Sequence, residues 1–226
     1  MENLILGIGT GRCGMYSLAH LLSMQNDSNI TWHFGNMPII DWYYNDENFN
    51  HICYMLENRE GKYIGDVSHF LLNYTEPLID KYEDKVKVVV LKRSFEETCM
   101  SFKTFIYKMA EDSNLNLWNS LEFKNTFYDL LSIPNALYFW NLYHTFPNFD
   151  ETDDINESIR FYWDYYDRMV NKLIEHHPDK IFQYDMSSLN DVHFSKHMLS
   201  WLGYDTPLYS NIHRDNPNLM GGRSWV

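Results

Sequence analysis

Cysteine, proline and cationic side chains are scarce in this chain, and no stretch of 18 consecutive apolar residues occurs in it. Each shortage excludes something. The three cysteines, Cys13, Cys53 and Cys99, are an odd number at no metal-ligand spacing, which argues against a disulfide framework and a zinc ribbon and fits a reducing compartment. Seven prolines and ten glycines form no linker and no repeat divides the chain, so residues 1–226 are expected to be one domain. With 18 Lys plus Arg against 31 Asp plus Glu, the formal charge is −13, which argues against a wrap-around contact with DNA or RNA. The lack of a long apolar run excludes a transmembrane helix, and the first residues lack the basic flank and apolar core of a signal peptide. The expectation is a soluble, unprocessed, cytoplasmic protein.

What is present is apolar bulk. Hydrophobic residues make up 45% of the 226 positions and aromatics 17%, too much for a disordered chain and enough for a substantial core. Short β-branched or aliphatic runs at 4–8, 30–34, 63–67, 86–91 and 181–184 alternate with longer helical patterns. That alternation predicts an α/β fold, a parallel central sheet flanked by helices. The run Val86-Lys87-Val88-Val89-Val90-Leu91 is almost continuously apolar, as a central strand buried on both faces should be. One helix is expected to start at Ser94, where Ser94-Phe95-Glu96-Glu97 has the capping-box pattern and Phe95, Cys99, Phe102, Ile106 and Met109 follow at steps of four and three. A second is expected over 154–177 and stops at Pro178.

The segment Leu4 to Leu18 reads as strand, glycine-rich turn and helix, with Gly9-Thr10-Gly11-Arg12-Cys13-Gly14 as the turn. Glycine allows close backbone approach, so consecutive N–H groups and a helix N-terminus can converge on a phosphate or sulfate, and Arg12 adds a permanent charge with a bidentate fork. A plain strand-helix turn with a solvated arginine is the bland alternative. The spacing satisfies GxGxxG, yet Ile30-Thr31-Trp32-His33-Phe34 offers no acid for a dinucleotide ribose. A Walker-type NTPase needs Lys and then Ser or Thr after the last glycine, whereas Met15-Tyr16 stand there.

The loop resembles the 5′-phosphosulfate loop of the sulfotransferases: a strand, a cationic residue, a small residue and Gly, matched by Arg12-Cys13-Gly14, with Ser17 as the nearby hydroxyl. Met15 and Tyr16 depart from the family's Thr positions, which leaves backbone N–H groups to contact the 5′-phosphate. A second segment, Val88 to Arg93 with Ser101 eight residues after the arginine, is similar to the family's 3′-phosphate motif; Phe95 replaces its frequent Pro. The alternative here is an Arg93 paired with Glu96 or Glu97 and a Ser101 bonded back into its helix. Phe182-Gln183-Tyr184-Asp185-Met186 resembles the Tyr-plus-acid segment near adenine, with Tyr184 equally suited to a core. The Gly221-Gly222-Arg223 tail resembles the family's C-terminal basic loop.

The resemblance implies a P-loop-NTPase-like three-layer sandwich and transfer of a sulfuryl group from 3′-phosphoadenosine 5′-phosphosulfate (PAPS) to a hydroxyl or amine of a small-molecule acceptor, releasing 3′,5′-ADP without a metal. Gly11, Arg12, Cys13, Gly14, Met15, Tyr16, Ser17, Arg93, Ser101 and Tyr184 would bind the donor, and Arg12 would also steady the leaving phosphate. For the base, His69 follows the strand 63–67 as in the family's Ser/Thr-His-Leu segment. His33 ends the strand 30–34, where relatives place a His-Glu or Lys-Glu pair and Phe34 replaces the Glu. Asp66 is suited either to act as base or to orient a histidine. Trp163 and Tyr165 are candidates to line an acceptor pocket. A nucleotide or small-molecule kinase of related fold, and a non-catalytic anion-binding protein, are the competing readings.

Overall fold

The computed structural model describes residues 2–36, 42–102 and 155–208. Five parallel strands form one sheet: β1 (Asn3–Gly9), β2 (Ser28–Trp32), β3 (Tyr63–Val67), β4 (Val86–Lys92) and β5 (Ile181–Asp185), in the spatial order β2-β3-β1-β4-β5. The helices are α1 (Met15–Ser23), the short α2 (His33–Asn36), α3 (Asp46–Glu57), α4 (Leu72–Tyr82), α5 (95–102), α6 (Ile155–His176) and α7 (Val192–Leu202). The fold is a three-layer α/β sandwich.

Alternate residues of the central strands feed two cores. Leu4, Leu6 and Ile8 of β1 with Val86, Val88 and Val90 of β4 pack under α3, α4, α5 and α6, while Ile5, Val89 and Leu91 pack under α1 and α7. Burial on both faces explains why β4 lacks the polar alternation of a half-exposed strand. On α6, Ile159, Tyr162, Tyr166 and Leu173 are buried and Met169 is partly buried against the same core. Ile106 and Met109 of the Ser94 pattern lie outside the described residues, as does the Gly221-Gly222-Arg223 tail.

Ser94 caps α5, its Oγ accepting the Glu97 N–H at 3.2 Å. β2 differs from the expected 30–34: it runs from Ser28 to Trp32, because His33 and Phe34 turn left-handed (φ 47° and 49°) and Asp66 Oδ2 accepts the Phe34 N–H at 2.6 Å. A carboxylate on the neighbouring strand ends the strand two residues early.

The topology fixes where a ligand can sit. The path from β1 to β2 passes through α1 on one face, and the path from β3 to β4 passes through α4 on the other. β1 and β4 are hydrogen-bonded neighbours, so their carboxyl ends flank a switch point, where open parallel sheets form a crevice.

Candidate functional site at the carboxyl ends of the strands

Four of the five strands deliver a chemically versatile residue to this edge. Across it, in sheet order, follow His33 after β2, His69 after β3, the 10–14 turn with Arg12 after β1, and Arg93 after β4. At ordinary strand spacing these four span about 14 Å.

The turn is held open by unusual backbone. Gly11, Arg12 and Gly14 all have positive φ, at 72°, 56° and 86°. Gly14 is the N-cap of α1 and contributes no side-chain hydrogen bond, so the first N–H groups of the helix are left for something else. Gly9 is obligatory for packing: a Cβ there would lie 2.2 Å from Cys13 Sγ. Cys13 is buried, and burial pushes its thiol up to about 11 against the hydrogen bonding of Thr10. It is a neutral packing group under the turn and no nucleophile. Met15 is buried and Tyr16 is exposed at the helix start, while Ser17 is half-buried.

Arg93 and Arg12 meet. The Arg93 Nη1 donates to the Arg12 backbone carbonyl, and the Arg12 Nε lies 3.4 Å from Ser101 Oγ on α5. Ser101 therefore faces the turn, whereas the alternative reading bonded it back into its own helix. The other alternative is present in part: Arg93 Nε has Glu97 Oε2 at 3.6 Å. That separation is too long for a hydrogen bond, and the buried Nε has no hydrogen-bond partner. Trp163 Nε1 donates to the Arg93 carbonyl at 3.0 Å, which fixes the residue from the α6 side. Trp163 thus serves as a brace for Arg93, and Tyr165 donates to Asn73 Oδ1 at 2.8 Å.

At the other end, His69 Nδ1 and His33 Nε2 are 3.2 Å apart, so one ring donates and the other accepts. Trp32 stacks on His33 at 4.3 Å between centroids, and Tyr16 meets the edge of Trp32 at 5.5 Å. A continuous aromatic contact thereby joins the glycine turn to the histidines. Burial holds His33 down to about 3 and His69 well below the ordinary imidazole value, with the neighbouring His33 adding to the effect on His69.

Asp66 is fully buried, and both its oxygens are in use. Oδ2 accepts from Thr31 Oγ1 at 2.6 Å and from the Phe34 N–H, and Oδ1 accepts from Ser68 Oγ. Burial pushes its carboxyl up to about 6 despite those donors and the nearby Arg59. A carboxylate so engaged is placed to hold its neighbours, and an acceptor hydroxyl has no approach to it. Tyr184 is likewise committed. Its ring is buried against Phe194 at 4.8 Å, and its hydroxyl donates to the Ser188 carbonyl at 2.9 Å, with Ser195 Oγ at 3.1 Å. It packs in the core under α7, without an open face for a base to stack on. Among the described residues, no group of three or more His, Cys, Asp or Glu side chains could hold a metal ion.

Arg59 was invisible in the sequence. It follows α3 and donates to Thr31 Oγ1 at 2.7 Å and to the Gly65 carbonyl, with its guanidinium 5.2 Å from the Phe34 ring centroid. Nothing in the residues around it marks an arginine that will be drawn inward.

No protein-family model matches the chain, and no curated protein matches it by sequence. Among solved structures, the fold is similar to the crystal structure of a sulfotransferase from Alicyclobacillus acidocaldarius, with a TM-score of 0.58 over 94% of this chain and 85% of that one, at 16% identity. At that identity the likeness is one of fold, and it is a fold within which a sulfotransferase works.

Proposed function

We propose that the protein is a sulfotransferase that moves a sulfuryl group from PAPS to a hydroxyl or amine of a small-molecule acceptor. One observation carries the reading: Arg93, a guanidinium largely removed from water, grips the backbone of the glycine turn while its buried Nε has no hydrogen-bond partner. A buried donor with no acceptor costs about 1–3 kcal/mol, which an anion seated beside the turn recovers. The uncapped N-terminus of α1 and the Gly11-Arg12-Cys13-Gly14 turn, left-handed at Gly11, Arg12 and Gly14, supply further donors around the same place.

On this reading the turn residues Gly11 to Gly14 and the first N–H groups of Met15, Tyr16 and Ser17 hold the 5′-phosphosulfate, and Arg93 with Ser101 holds the 3′-phosphate. Arg12 lies between the two and steadies the negative charge that develops on the leaving phosphate oxygen. Because its proton is never released at ordinary pH, it acts as a charge clamp. The acceptor oxygen bonds to sulfur as the sulfur–oxygen bond to the phosphate breaks, and the acceptor proton passes to histidine at the ends of β2 and β3. Sulfuryl transfer resembles phosphoryl transfer in asking chiefly for in-line positioning and charge stabilisation. His33 and His69 are neutral near pH 7, the form a base requires. The reading places the enzyme in the cytoplasm; its three free, buried cysteines suit a reducing compartment. No helix of the described residues is long and apolar enough to cross a membrane.

The test is ligand stabilisation. The nucleotide 3′,5′-ADP is expected to raise the melting temperature without Mg²⁺, since a ligand that binds only the native state stabilises it. A screen of acceptor classes with ³⁵S-labelled PAPS then identifies the substrate. Preferential stabilisation by Mg²⁺-ATP would replace the proposal with a kinase, and indifference to both nucleotides with a non-catalytic protein.

A further inference from the structure

His33 and His69 lie 36 positions apart and meet because Trp32 and Val67 are register partners at the ends of β2 and β3, so the two chains leave the sheet side by side. Register alone does not bring the rings together. His33 and Phe34 both adopt left-handed backbone, a conformation that costs about 1–3 kcal/mol per bulky residue and persists only where its surroundings enforce it. Asp66 does the enforcing. It holds the N–H of Phe34, immediately after His33, and the hydroxyl of Ser68, immediately before His69. Thr31 bonds the same carboxylate, and Arg59 bonds Thr31. One buried carboxylate thereby sets the separation of two imidazoles carried on different strands.

We propose that His33 and His69 act as one two-imidazole base, with His33 taking the acceptor proton and His69 receiving a proton from it, and with Asp66 as the positioning residue for the pair. The proposal rests on the sulfotransferase reading and deepens it. His33 Nε2 is the atom bonded to His69, while His33 Nδ1 makes no hydrogen bond among the described residues, and although packing against Trp32 and His69 desolvates the ring, the residue as a whole keeps part of its surface exposed. The outer nitrogen is therefore the one open to an acceptor. Before transfer, His33 carries its proton on Nε2 and donates it to His69 Nδ1. As the acceptor oxygen bonds to sulfur, its proton moves to His33 Nδ1 and the Nε2 proton crosses to His69 Nδ1. His33 ends neutral and His69 ends as imidazolium, while the electron pair of the broken sulfur–oxygen bond leaves on the phosphate of 3′,5′-ADP. The cation comes to rest one residue further from the reacting sulfur, and the anionic products in the same crevice favour it.

Two measurements on the 226-residue chain test this. In ¹⁵N-histidine-labelled protein, a scalar coupling across the N–H···N bond between His33 Nε2 and His69 Nδ1 is expected. Water serves as acceptor for the second, in which sulfate release from PAPS is followed in wild type, His33→Asn, His69→Asn and the double variant. Each single substitution should slow release about 100-fold or more. The double variant should be no slower than the worse single one within about threefold, as for residues that act as a unit. Binding of 3′,5′-ADP should be unchanged in all three. Asp66→Asn should lower kcat, leave the donor KM unchanged and abolish the coupling; a merely structural Asp66 would lower the melting temperature with the coupling intact. Additive losses in the double variant, absence of the coupling, or a wild type that binds 3′,5′-ADP yet releases no sulfate would each overturn the proposal. Where a histidine variant does not fold, the coupling in wild type decides alone. A wild type that fails to bind 3′,5′-ADP overturns the sulfotransferase reading instead, and the two failures are thereby told apart.

Discussion

Arg93 and Arg12 are 81 positions apart in the chain, and the guanidinium of the first donates to the backbone carbonyl of the second. The contact ties the glycine turn to the end of β4, and Glu97 Oε2 lies 3.6 Å from the Arg93 Nε on the other side of the guanidinium.

Arg93→Ala should remove most of the stabilisation that 3′,5′-ADP confers on the wild type. It should change the stability of the free protein little, because the Arg12 carbonyl loses a charged donor worth about 1.5–3 kcal/mol while the cost of about 1–3 kcal/mol of the unpartnered Nε disappears with it. Arg93→Lys keeps the charge and loses the fork, so it should recover only part of the ligand shift. Thermal melts of the three proteins with and without nucleotide measure both effects.

Gly9→Ala should disturb the turn from beneath, since the added methyl would stand 2.2 Å from Cys13 Sγ. A loss of about 1–3 kcal/mol is expected from overpacking, together with weaker nucleotide binding. Cys13→Ala made in the same chain removes the sulfur and should restore part of both. Denaturant unfolding and nucleotide titration of the single and double variants give the interaction energy directly.

Of the fold, the parts set by local pattern were legible in the sequence. The uninterrupted apolar run of β4 and the Ser94 cap with Glu97 three residues on could be read residue by residue, because both depend on neighbours in the chain. The end of β2 could not. Ile30 to Phe34 looks like a strand throughout, and only the approach of Asp66 from β3 turns Phe34 out of it. The candidate site divides in the same way. Arg12 and Arg93 stand out through their motifs, whereas the meeting of His33 with His69 depends on a register between strands that no spacing along the chain encodes. Tyr184 was ambiguous for a related reason: a tyrosine ending an apolar strand has the same local pattern whether its ring faces a nucleotide or, as here, α7.

Ser94→Ala should cost about 1 kcal/mol, as expected for loss of an N-cap. The loss should appear in the melting temperature of the free protein. Because α5 also carries Ser101, frayed packing of its first turn should weaken nucleotide binding modestly as well.

Asp66 makes stability depend on pH in an unusual direction. Its folded value, about 6, lies above the 3.8 of an ordinary aspartate. The native state therefore holds this proton more tightly than the unfolded chain, and the stability it contributes below pH 4 is lost as pH rises through 6. Relative to Asp66→Asn, the wild type should lose about 2 kcal/mol between pH 4 and pH 7. Unfolding of both proteins across that range provides the comparison.

His33 works in the opposite sense. Its folded value, about 3, lies below the ordinary 6.5, so the unfolded chain takes up its proton first and the wild type should lose stability as pH falls below 6.5. His33→Asn should flatten that decline. The two pH series on matched variants separate the histidine from the aspartate.

On the proposed reading, Arg12 and Arg93 serve one nucleotide. Titration calorimetry of the wild type with 3′,5′-ADP in metal-free buffer tests this most directly. One molecule is expected to bind per chain, more tightly than Mg²⁺-ATP, and the heat should vanish in Arg93→Ala. No measurable heat in the wild type, or undiminished binding in the variant, would contradict it.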